Sequence, residues 1–96
     1  MSTIGTELRR LREAKGFTVR DVAAQLSKTP GYISKIEVRG EIPSSEFICD
    51  LAKLYGSDPE PLLQLAKAGL LERTERDIDM RQSSALSLFR KEHKQR

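Results

Sequence analysis

The chain has 96 residues, a formal net charge of +3, one cysteine and one histidine. That length supports one small domain with at most an appendage. A lone Cys49 excludes an internal disulfide, and with His93 far from it no metal constellation forms, so neither a metal nor a cofactor is implied. No apolar run approaches the roughly 20 residues that cross a bilayer, and MSTIGTELRR lacks the basic-then-apolar order of a secretory signal. The expected setting is the cytoplasm, without a membrane partner.

Ile4, Leu8, Leu11 and Phe17 keep helical spacing up to Gly16, which predicts a first helix from about Thr6 to Lys15. Thr18, followed three residues later by Asp21, has the form of a capping box. Val22, Ala23 and Leu26 then supply the buried stripe of a second, short helix that stops near Ser27. Thr29 reads as the cap of a third helix, with Pro30 at its first position and only Ile33 and Ile36 facing inward. After Gly40 and Pro43, Ser44 caps a fourth helix whose apolar face is Phe47, Ile48, Leu51, Ala52, Leu54 and Tyr55. Asp58 and Pro59 repeat the cap-then-proline device, and Leu62, Leu63, Leu65 and Ala66 make a fifth helix expected to end at Gly69. No alternating, strand-like stretch competes, so residues 1–69 read as an all-α, five-helix domain. Cys49 is expected to be a small buried hydrophobe within it.

From Leu70 the texture changes to a mostly charged run, LLERTERDIDMRQSS, followed by ALSLFRKEHKQR. Residues 70–96 are read as a C-terminal extension with two short amphipathic helices, about Glu75 to Gln82 and Ser83 to Glu92. A partly disordered tail is the open alternative. Its apolar residues are too few for a core of their own, so they pack either on the domain or on a second copy. Ile78, Leu86 and Phe89 are the dimerisation candidates.

Charge is unevenly placed. Residues 1–40 carry eight Lys/Arg against four acids, residues 41–79 four against nine, and the last 17 five against one. A basic first block beside an acidic middle suggests a surface that faces a polyanion. The apolar poverty of the third helix points the same way. A helix anchored by two isoleucines after a short turn, with small Ala23 where helices two and three cross, leaves its other face free to enter a major groove, although helical pairs with a short turn also occur in bundles that bind nothing.

The run ELRRLREAKGFTVRDVAAQLSKTPGYISKIE, continuing through IPSSEFICDLAKLYGSDPEPLL, resembles the helix-turn-helix family of the phage lambda repressor and Cro type, the xenobiotic-response-element family. The resemblance covers about residues 4–68. It implies a lambda-repressor-like fold and sequence-specific binding of double-stranded DNA, usually as a homodimer on a palindromic operator in repression or autoregulation. Carried over position by position, it puts Thr29, Pro30, Gly31, Ser34 and Lys35 at the base-reading end of the recognition helix. Lys35 is the best reader, since an ammonium can donate to guanine O6 and N7. Tyr32 and Arg39 fall at phosphate-contacting positions, with Thr18, Arg20 and Lys28 as further phosphate candidates. Arg12 and Glu37 match a pair that forms a salt bridge between helices one and three in this family.

Three departures from the family pattern stand out. Val19 replaces a frequent glutamine at the start of helix two, which leaves Thr18 or Arg20 to hold phosphate there. Ser27 replaces a turn glycine and is mildly strained if left-handed. Val38 and Arg39 both precede Gly40, where one residue is usual, so the loop is expected to turn one residue later. An enzyme is disfavoured by the lack of a carboxylate pair, a usable histidine or a phosphate-binding glycine loop. The remaining rival is an antitoxin-type module whose main task is to hold a protein partner, a toxin or antagonist.

Overall fold

The computed structural model describes the backbone of residues 3–94 and the side chains of residues 3–76. Within them the chain forms α1 (Ile4–Ala14), α2 (Val19–Gln25), α3 (Pro30–Val38), α4 (Ser45–Tyr55) and α5 (Pro59–Lys94). Each helix begins where a short polar side chain satisfies an amide that has no partner inside the helix. Thr3 Oγ1 accepts from the Thr6 N–H at 3.1 Å, which starts α1 two residues before the apolar spacing suggests. Thr18 and Asp21 complete the capping box in both directions, at 3.0 and 2.8 Å. Thr29, Ser44 and Asp58 accept from the amides of Tyr32, Phe47 and Glu60.

The helix ends follow an equally local rule. The residues after the left-handed Gly16, Ser27 and Gly56 donate back over five positions: Phe17 to Arg12, Lys28 to Ala23 and Ser57 to Ala52. Ser27, at φ 56°, is the one non-glycine residue with positive φ among the described residues. Its neighbour Lys28 still closes the turn, at 2.8 Å. After α3 the bond spans six positions, from the Glu41 N–H to the Lys35 carbonyl at 3.1 Å, with Gly40 at φ 78° between them. The extra residue before Gly40 is thus absorbed as a wider terminal turn.

The core collects Ile4 and Leu8 from α1, Val22 and Ala23 from α2, and Ile33 and Ile36 from α3. Phe47, Ile48, Leu51, Ala52 and Tyr55 of α4 join them, with Leu62 and Ala66 of α5. α1 and α2 both pack on α3, while α4 and α5 pack on each other and on α1. A nine-residue helix is marginal in isolation. Burial of Ile33 and Ile36, at ~1.5–3 kcal/mol each, is what holds α3 in place.

Three expectations are corrected. The fifth helix does not end at Gly69, and the helices expected at 75–82 and 83–92 are not separate: α5 continues to Lys94. Gly69 keeps negative φ, unlike the true stop at Gly56. A single glycine costs a helix only ~1 kcal/mol, which the following Leu, Glu and Arg residues tolerate well. Cys49 is exposed rather than buried. The buried stripe of α4 runs through 47, 48, 51, 52 and 55, which turns position 49 outward.

Candidate nucleic-acid interface

α2, the turn at Ser27 and α3 form one rigid unit. Ala23, with almost no exposed surface, lets the two helices approach, and its carbonyl receives the Lys28 amide that closes the turn. On the opposite side α1 presses equally close. A Cβ on Gly5 would lie 2.3 Å from the Ile36 carbonyl oxygen, so only glycine fits there. Sequence reasoning missed this contact, although a glycine one position inside a capped helix was a signal of it. Held from both sides, α3 presents its remaining surface outward.

Thr29, Pro30, Gly31, Ser34 and Lys35 are all exposed. A shallow concavity of about 420 Å³ on this face is lined by Thr29, Gly31, Tyr32, Ser34, Lys35 and Arg39. The structure therefore brings four of the five expected base readers together with two expected phosphate contacts, and leaves Pro30 off the lining. Thr29 also serves as the cap of α3, so one of its two oxygen lone pairs is engaged, and its hydroxyl proton and second lone pair remain to offer. Arg39 is the C-cap of α3 and stands at the rim of the concavity.

The phosphate candidates divide. Arg20 is exposed in the first turn of α2. The Thr18 amide donates to the Asp21 carboxylate and is not free for phosphate, and that hydrogen bond holds the Asp21 carboxyl below its ordinary range. Lys28 places its ammonium 5.7 and 5.3 Å from the ring centroids of Tyr32 and Phe47. Its charge is thereby steadied beside the start of α3 by ring quadrupoles. Tyr32 is half-buried, with its ring 5.5 Å from that of Phe47. This aromatic support was invisible in the sequence, since residues 28, 32 and 47 belong to different elements.

One acid on α3 is removed from the surface altogether. Arg12 donates to both oxygens of Glu37, at 2.8 and 3.0 Å, and to the Phe17 carbonyl at 2.7 Å. The Glu37 side chain is only 3% exposed. The hydrogen bond to Glu37 raises the Arg12 pKa against the opposing effect of burial. A carboxylate that would oppose phosphate is thus neutralised and used to tie α3 to α1. Beside the pair, burial and then the charge of Glu37 push the Tyr55 hydroxyl up to about 12, and that hydroxyl has no hydrogen-bond partner among the described residues.

Ile78, Leu86 and Phe89 lie on α5, but their side chains fall outside the described residues. The large apolar side chains that α5 exposes among the described residues are Leu70, at 49%, and Leu71, at 52%.

With this geometry in place, a family model described as a helix-turn-helix domain matches residues 3–65. The chain belongs to that family. The match spans α1 to α4 and the first turns of α5, and it agrees with the Cro/C1-type resemblance carried by the sequence. No curated protein and no solved structure matches the chain. The helix-turn-helix domain is that of a DNA-binding regulator, with α3 in the position of the recognition helix. Among the described residues no helix is long and apolar enough to cross a membrane.

Proposed function

We propose that the protein is a sequence-specific, double-stranded-DNA-binding transcriptional regulator, acting in the cytoplasm as a homodimer on a palindromic operator to repress or autoregulate. One observation carries the reading: α3 buries only Ile33 and Ile36 as core side chains, while Ser34, Lys35 and Arg39 share an exposed concave face from which the acid of α3, Glu37, has been withdrawn. Lys35 and Ser34 read base edges in the major groove. Arg39, Arg20 and Lys28 hold phosphates and set the register of the helix. Dimerisation through α5 is supported by the exposed Leu70 and Leu71. Those leucines equally favour the antitoxin-type reading, in which α5 holds a different protein.

Selection of the full chain against a random duplex library tests the proposal. A dimeric reader enriches a palindrome with half-sites about one helical turn apart. Enrichment of no sequence over the input overturns the reading.

A further inference from the structure

α5 stays against the domain beyond its last buried core residue. Leu65 is half-buried, a Cβ on Gly69 would stand 3.0 Å from Ile42 Cδ1, and Arg73 Nη2 donates to the Gly40 carbonyl at 2.7 Å. Residues 65, 69 and 73 are spaced by one helical turn and stack on one face of α5. That face runs along the segment after α3, and with the start of α1 it encloses a cleft of about 530 Å³.

The Gly40 carbonyl and the Glu41 N–H belong to a single planar peptide unit. Its N–H donates to the Lys35 carbonyl of α3, and its oxygen accepts from Arg73 of α5. One rigid plane is therefore clamped from both sides, and Lys35 and Arg39 lie on the helical turn that it closes. A guanidinium bond to a carbonyl is stronger than a neutral one. Arg73 lies outside the residues 3–65 that the family model matches, so the clamp belongs to this chain's own extension.

We propose that Arg73 is a positioning residue: through the Gly40–Glu41 peptide it fixes the C-terminal turn of α3 and makes DNA affinity depend on α5. The second half of this statement rests on the DNA reading above. Amide exchange on the full chain tests the clamp without DNA. Arg73→Met keeps the stem and removes the donors, and is expected to speed exchange of the Glu41 amide about tenfold while core amides of α1 and α4 stay protected. Arg73→Lys, which keeps a charged donor, restores most of the protection. Unchanged exchange at Glu41 in Arg73→Met overturns the clamp.

The DNA arm uses a duplex selected on the wild-type chain. Arg73→Met is expected to weaken binding about three- to tenfold with the salt dependence unchanged, because no phosphate contact has been removed. A salt slope lower by about one would place Arg73 itself on a phosphate and overturn the positioning role. Failure of the wild type to select any duplex overturns the DNA reading and the second half of the proposal. Exchange at Glu41 would still decide whether Arg73 clamps the turn.

Discussion

Arg12 makes three hydrogen bonds from one guanidinium, and its partner Glu37 is almost fully buried, so neither charge can be removed alone without leaving the other exposed to a low-dielectric interior. Arg12→Met is expected to cost about 3–5 kcal/mol in urea unfolding, and Arg12→Met with Glu37→Met to recover most of it. Equal losses in the single and double variants would show that Glu37 is not stranded. Tyr55 gives the opposite case, a buried hydroxyl with no partner. Tyr55→Phe should leave stability unchanged or raise it by up to about 1 kcal/mol, since it removes an unsatisfied group and little volume. Because the folded pKa of Tyr55 is raised from 10.0 to about 12, its contribution is fully present below pH 10 and is lost as pH rises toward 12. Alkaline melts should therefore show a loss of stability above pH 10 that is smaller in Tyr55→Phe. The ion pair was expected from family resemblance, but the bond to the Phe17 carbonyl, made across the turn that ends α1, and the orphaned hydroxyl, which depends on how α4 meets the Arg12–Glu37 pair, were not.

At the scale of elements, four helix starts and the turns at Gly16 and Gly40 could be read from the sequence, because caps and left-handed turns are decided within a few residues. Gly69 could not. Whether a glycine ends a helix or lies inside one depends here on the chain beyond it and on Ile42 of the loop between α3 and α4, which lies against it. Gly5 shows the same dependence more severely. Gly5→Ala sets a methyl group against the backbone of α3, which cannot rotate away. It is expected to destabilise the domain by about 2 kcal/mol or more in thermal or urea unfolding, despite the higher helix propensity of alanine. A gain in stability would mean that α1 and α3 are not in the contact described. The length of α5 changes how the extension is understood: the expected pair of amphipathic helices is one continuous helix running on from the domain.

The molecule as a whole combines a basic, concave recognition face with two exposed leucines on a long helix, and the proposed function requires both. If α5 joins two copies, Leu70→Glu with Leu71→Glu should convert a dimer to a monomer in sedimentation equilibrium while the melting curve of the domain changes little. A wild-type chain that sediments as a monomer would remove the homodimer and favour the partner-holding alternative. The charge blocks of the sequence suggest a polyanion-facing surface within the first 40 residues, the part of the chain that holds α3. They did not anticipate that Lys28 rests on two rings, that Glu37 is withdrawn, or that Arg73 reaches back to the turn after α3, since each joins residues from separate elements.

The central claim is that the outward face of α3 reads base sequence through Lys35. A fluorescence titration of the wild type and Lys35→Ala against the selected duplex and a random duplex of equal length tests it most directly. The account predicts that the wild type prefers the selected duplex by about a thousandfold or more, and that Lys35→Ala loses about 1–3 kcal/mol on that duplex while binding the random one almost as before. Equal affinity of the wild type for both duplexes would contradict it.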